Sequence, residues 1–145
     1  MADDELHDEI SALLRSADQR YTKGRRALVT TLRRIGQPMT LPQILEAGDG
    51  LAQSSVYRNL AVLEDAGVVT RIVTNDEFAR YELAEQLTEH HHHLICQSCG
   101  DVTDFSLGTR TESTLDRALH RIADDAGFQV EAHRLDLVGT CADCG

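Results

Sequence analysis

Two segments far apart in this chain carry the same cysteine pattern. Cys96-Gln97-Ser98-Cys99-Gly100 and Cys141-Ala142-Asp143-Cys144-Gly145 both read C-x-x-C-G, and 41 residues separate Cys99 from Cys141. Each turn aims two sulfurs at one point, and a glycine after the second cysteine admits the positive φ that lets backbone N–H groups approach sulfur. Two such turns supply the four thiolates of a tetrahedral Zn²⁺ site with no open position. The chain must therefore fold so that residues 96–99 and 141–144 meet. A thioredoxin-type redox pair needs one such unit, not two matched ones. A closed four-cysteine site does not catalyse; it ties two distant segments together. The start, Met1-Ala2-Asp3-Asp4-Glu5, is acidic and lacks the apolar core of a signal peptide. The expected setting is a reducing cytoplasm, where disulfides do not persist. No apolar run approaches the length of a membrane helix.

The second constraint is His90-His91-His92-His93, which runs into Leu94-Ile95-Cys96. The apolar pair makes this stretch a strand, and strand side chains alternate faces. His91 and His93 then point one way and His90 and His92 the other. Residues two apart on a strand lie about 6.5–7 Å apart, close enough for two imidazoles to share one metal. The run thus reads as two back-to-back half-sites that draw partners from elsewhere. Available partners are His133 on an expected strand over 128–138, Asp116 or Glu112 on a helix over 112–126, Asp104 on a strand after the knuckle, and Glu82. His120 reads as a helix-surface residue.

Charge is as uneven as the metal-ligand chemistry. The chain carries a formal net charge of −10, which taken alone argues against nucleic acid and anionic membranes. Residues 1–80 hold ten Lys/Arg and twelve Asp/Glu, whereas residues 81–145 hold four and twelve. The window 15–71, with nine basic and five acidic residues, is net +4. A basic first half is followed by an acidic, ligand-rich second half, and the boundary is expected at 80/81.

Apolar periodicity in the first half predicts helices over 5–18 and 23–35, the second capped by Thr22 and stopped by Gly36. A short helix follows Thr40, with Pro42 in its first turn. A fourth helix is expected to start at a Ser54 cap and end at Gly67. Strands over 68–74 and 79–83 flank a turn at Asn75-Asp76. Helix, turn, helix and β-hairpin is the order of a winged helix-turn-helix. Its second helix would enter the major groove N-terminus first, presenting Ser55, Tyr57 and Arg58. Arg20, Lys23 and Arg25 are the phosphate candidates.

Taken in order, the motifs Tyr21-Thr22-x-x-Arg25, Ser55-Val56-Tyr57-Arg58-Asn59-Leu60, Arg80-Tyr81-Glu82-Leu83, His90–His93 joined to Cys96-x-x-Cys99-Gly100, and Gly127-Phe128…His133…Gly139-x-Cys141-x-x-Cys144 resemble the ferric uptake regulator family over nearly the whole chain. The resemblance implies an α+β fold, with a winged helix-turn-helix followed by a small α/β dimerisation domain, and a homodimeric metal-dependent repressor of metal-homeostasis or stress genes. It implies a structural zinc site at Cys96, Cys99, Cys141 and Cys144. It implies a regulatory site for Fe²⁺, Zn²⁺ or Mn²⁺ at Glu82, His91 and His93, and a second site at His90, His92, Asp116 and His133. The partner is palindromic double-stranded operator DNA.

The chain departs from the family's pattern in three places. Gln37-Pro38-Met39-Thr40 stands where a histidine ligand from the DNA-binding domain is common. Glu82-Leu83-Ala84 lacks the cysteine of the zinc-sensing branch. Asp116 stands for the usual Glu, with Glu112 an alternative. The regulatory shell is thereby one ligand short, and Asp104, Glu85, His7 or water is expected to complete it; Asp104 is the first choice. His and carboxylate ligands admit iron, manganese and zinc alike, because affinity order does not decide metal identity in a cell. Two other readings compete: a zinc buffer or chaperone that does not contact DNA, and a zinc hydrolase, against which the absence of H-E-x-x-H counts.

Overall fold

In the computed structural model, residues 1–74 and 78–145 are described. The expected turn at Asn75-Asp76 lies outside them. The elements run α1 (Asp3–Ser16), α2 (Lys23–Ile35), β1 (Met39–Thr40), α3 (Leu41–Ala47), α4 (Gln53–Asp65), β2 (Val69–Val73), β3 (Ala79–Leu83), a 3-10 turn (Glu85–Leu87), β4 (His92–Cys96), β5 (Val102–Phe105), α5 (Thr109–Asp125) and β6 (Asp136–Gly139). This is the expected α+β order of a winged helix followed by a second, smaller unit.

Local chemistry sets most of the boundaries. The Thr22 hydroxyl accepts the Arg25 backbone N–H, and Gly36 closes α2 at φ 70°, where its N–H reaches Leu32 O. Thr40 and Gln43 cap each other reciprocally at the start of α3, with Pro42 in the first turn. The expected Ser54 cap is not used. α4 starts at Gln53 behind Ala52, which offers no side-chain acceptor, so both serines lie within the first helical turn.

Among the described residues, two three-stranded sheets divide the molecule. β3 is central in the first, ordered β1-β3-β2, and β4 is central in the second, ordered β5-β4-β6. β3 runs through Leu83, across the expected boundary at 80/81, so the wing sheet itself carries Glu82. β5 is antiparallel to β4 and sets Asp104 opposite His93, while β6 is parallel to β4 and sets Asp136 beside His93. The strand expected over 128–138 is ordered as a strand only at its end, and His133 lies in the segment before it.

Burial is lopsided. The apolar core is built from α1, α2, α3, α4 and the wing, with Leu6, Ile10, Leu14, Leu28, Leu32, Ile44, Leu60 and Leu63 at its centre. After Leu87 the buried apolar residues, among those described, are Cys96, Val102 and Ala123. His92 and His93 are buried in the same region. A unit of this size with so few buried apolar groups lacks the burial that sustains an independent fold, and small domains of this kind depend on staples or partners. No helix among the described residues is long and apolar enough to cross a membrane.

Candidate metal centres and DNA-reading face

Among the described residues three clusters of potential ligand atoms form, each with its atoms within 4.8 Å of one another: Cys96, Cys99, Cys141 and Cys144; Glu82, His91, His93 and Asp104; and His90, His92, Glu112 and His133. The parity of the histidine run holds, although the strand begins only at His92.

In the cysteine cluster, Cys99 Sγ and Cys141 Sγ stand 3.9 Å apart. A tetrahedron with metal–sulfur bonds of about 2.3 Å has edges of about 3.8 Å. The Cys141 N–H donates to Cys96 Sγ at 3.3 Å, and Gly100 adopts φ 80° after the first turn. Backbone N–H groups of Cys99 and Cys141 bring the Cys96 thiol down to about 6, whereas crowding against Cys141 and Cys99 pushes Cys144 up to about 12. One sulfur is already thiolate-prone, while Cys99 and Cys144 resist taking on negative charge without a cation among them.

In the Glu82 cluster, Glu82 Oε1 lies 2.7 Å from His93 Nε2 and 3.0 Å from His91 Nε2. Asp104 adds oxygens at 3.4 Å from His93 Nε2 and 3.6 Å from His91 Nε2. The Asp104 Oδ1 atom is buried without a hydrogen-bond partner, a cost that a bound cation removes. Behind the ligand atoms, His91 Nδ1 donates to Glu89 O at 2.8 Å, and His93 Nδ1 faces Asp136 Oδ1 at 3.5 Å. Both rings are thereby oriented with Nε2 inward, as metal-ligating imidazoles are. The other proposed completions lie elsewhere. His7 pairs with the Tyr21 hydroxyl at 2.6 Å, and Glu85 contacts His90. Gln37 lines a cavity of about 510 Å³ beside Glu82, His91 and Asp104.

Charge in this cluster is poised for a cation. Burial alone would raise Glu82, but hydrogen bonds from His93 and His91 outweigh it and hold the carboxyl below the usual range. Burial, then the Glu82 charge, pushes Asp104 up to about 7. Burial opposes protonation of His91, yet Glu82 prevails and raises it; for His93 the Glu82 hydrogen bond is the dominant cause of the rise. Without metal, His91, His93 and Asp104 bind protons more tightly than they ordinarily would, whereas Glu82 stays ionised, and an incoming metal competes with those protons. Affinity should therefore fall as pH falls, by roughly tenfold per pH unit for each proton displaced. Calorimetric Mn²⁺ titration from pH 8 to 6, in buffers of different ionisation enthalpy, measures both slope and proton release. A pH-independent affinity would contradict the charge assignment.

The third cluster corrects one expectation. Glu112, not Asp116, faces the histidines: it lies 2.9 Å from His92 Nε2, 3.0 Å from His90 Nε2 and 2.7 Å from His133 Nε2. Those contacts, His92 first, bring its carboxyl down to about 2. Asp116, one turn further along α5, stands behind His133, 3.5 Å from Nδ1. It stands behind the clustered ligand atoms rather than among them. His120 is exposed, as expected.

α4 presents its N-terminal turns to solvent. Tyr57 is 64% exposed, so it is not a core residue, and Arg58 is exposed too. Ser55 is half-buried, while Arg20 and Lys23 are exposed. Arg25 braces the face: its guanidinium donates to Asn59 Oδ1 on α4 at 3.1 Å, and to Gln19 Oε1 and Arg20 O. That bracing was not legible in the sequence.

A winged helix joined to a second sheet that carries clusters of potential metal ligands defines a class: metal-responsive DNA-binding proteins. The profile of the Ferric uptake regulator family matches residues 16–138. The chain belongs to that family and is a metal-responsive transcriptional regulator. The Ferric uptake regulation protein of Campylobacter jejuni is 32% identical over 148 aligned positions, spanning 97% of this chain and 89% of that protein. The Peroxide-responsive repressor PerR of Staphylococcus aureus is 29% identical, over 97% of this chain and 91% of that one. Among solved structures, the ferric uptake regulator of Helicobacter pylori shares the fold with a TM-score of 0.77 at 22% identity, over 99% of this chain and 94% of that one. That of Vibrio cholerae gives 0.69 at 28% identity, over 90% and 98%.

Proposed function

We propose that the chain is a homodimeric repressor whose Glu82–His91–His93–Asp104 cluster is the regulatory metal site. One observation carries this reading: Glu82 belongs to the wing sheet, while the other three ligands belong to or adjoin the second sheet. These four residues hold a divalent cation, Fe²⁺, Mn²⁺ or Zn²⁺, across the hinge. The cation contributes the positive charge that lets four ligands converge without repulsion. Glu82 transmits its capture to β3 and thence to α4, fixing the separation of the two reading heads. The solved Vibrio cholerae relative, whose DNA-binding domains rearrange, supports a hinge of this kind. Cys96, Cys99, Cys141 and Cys144 hold structural zinc, and His90, His92, Glu112 and His133 hold a second ion.

The dimer forms on the second unit. β6 is an edge strand with Leu137 and Val138 exposed, and Ile122 and Phe128 are exposed nearby in sequence. An uncovered apolar edge strand of this kind is a ready interface. A twofold axis there sets two α4 helices into successive major grooves of a palindromic operator. The acidic second halves then stay away from the phosphates.

Fluorescence anisotropy tests the reading, using duplexes that the metal-loaded protein selects from a random pool. Affinity should rise sharply with one of Fe²⁺, Mn²⁺ or Zn²⁺ and fall with salt, with a slope of several charges. A zinc buffer shows neither. Arg58→Ala should lose about 1–3 kcal/mol of DNA binding if it reads a base, or reduce the salt slope by about one if it holds a phosphate. Tyr57→Ala should weaken binding without unfolding, because the ring is exposed. Unchanged affinity and slope in both variants would remove α4 from the interface.

A further inference from the structure

We propose that Glu85 is a positioning residue that couples the two histidine clusters, an inference resting on the reading that both hold metal. Glu85 opens the 3-10 turn that leaves the wing sheet, three residues after Glu82. Its Oε1 lies 2.7 Å from His90 Nδ1 and also accepts the His91 backbone N–H at 3.4 Å. One carboxylate oxygen thus touches a ligand of the third cluster and the peptide of a ligand of the regulatory cluster.

The chemistry at His90 follows from which nitrogen faces which partner. Nδ1–H donates to Glu85, so Nε2 keeps its lone pair toward Glu112 and His133, 3.0 Å and 3.2 Å away. A carboxylate behind an imidazole fixes its tautomer and ring angle and raises its basicity. Asp116 does this for His133 from within α5. Glu85 differs because it rides on the connection between the two sheets. Any movement of the wing sheet relative to β4 moves the carboxylate that aims His90. Glu82 and Glu85 flank Leu83 and Ala84, so closure at one cluster is felt at the other through a single turn. Coupling between binding sites is reciprocal: an ion in either cluster strengthens the other by the same factor. The Glu85 side chain is 45% exposed, so its replacement leaves the core intact.

Co²⁺ titration of the zinc-loaded full-length dimer tests this, with calorimetry for affinities and visible absorption for ligand geometry. His91→Ala/His93→Ala isolates the third cluster. In the parent, its affinity should be higher when the regulatory cluster is intact than in that double variant. Glu85→Ala should weaken the third cluster by about 10–100-fold. It should also bring the ratio between the two backgrounds to one and alter the Co²⁺ spectrum. Glu85→Gln should restore most of the affinity, because its amide oxygen still accepts from Nδ1–H. A Glu85→Ala protein with third-cluster affinity within about twofold of the parent, or with the coupling ratio intact, overturns the proposal. A parent that takes up no Co²⁺ beyond the cysteine site overturns instead the reading on which it stands. Near-ultraviolet circular dichroism of each variant verifies the native fold.

Discussion

Replacing Cys96 and Cys99 with serine should unfold the second half of the molecule and abolish the dimer. After Leu87 little apolar surface is buried, and β4 and β6 are held in register next to the two cysteine turns. Cys96 N–H bonds Asp101 O and Gln97 N–H bonds Gly139 O, so the first knuckle is tied to β5's approach and to the end of β6, which leads into the second. Structural zinc sites contribute about 10–16 kcal/mol in small peptides, as much as or more than the whole stability of a typical domain. The core of α1 to α4 does not use the cysteines, so the first half should keep its helices. Zinc content by mass spectrometry, dimer mass by light scattering and a two-step thermal melt measure this. A zinc-free double variant that remains a native dimer would refute the structural role of the cluster.

Replacing His91 and His93 with alanine should sever metal from DNA while leaving the fold in place. Switching a two-state hinge from mostly open to mostly closed requires about 10⁴-fold preference of the ion for the closed state. Removing two of four ligands forfeits most of that preference, so operator affinity at saturating metal should fall by about 10²-fold or more, to the metal-free level. Glu82→Gln should have a related effect, because Glu82 is the ligand carried by the wing sheet and is 7% exposed. His90→Ala/His92→Ala should cost less, since all four ligands of that cluster lie after the wing sheet. Anisotropy titrations with and without metal compare the three. Metal-dependent DNA binding that survives His91→Ala/His93→Ala would place the sensor elsewhere.

Much of this architecture is legible in the residues. Two C-x-x-C-G units demand a meeting point whatever the fold between them. A strand period of two sorts His91 and His93 from His90 and His92 before any partner is known. Thr22, Gly36, Thr40 and Pro42 announce the ends of helices by local chemistry. The net charge of −10, divided along the chain, separates the half proposed to read DNA from the half proposed to collect cations.

Local spacing does not reach the partners. Glu112 and Asp116 are four residues apart on one face of α5, about 6 Å along its axis. The choice between them depends on how the whole helix docks, and docking places Glu112 among the imidazoles and Asp116 behind His133. Asp136 meets His93 only through the parallel register of β6 on β4, and Glu85 meets His90 only through the turn that joins the sheets. The residue sequence by itself determined the inventory of ligands, their pairing by parity and the helix-turn-helix frame, because these depend on periodicity and on contacts within a few residues. Tertiary structure alone decided which carboxylate faces each histidine and which stands behind it, because those contacts are made between elements whose relative phase no local pattern records.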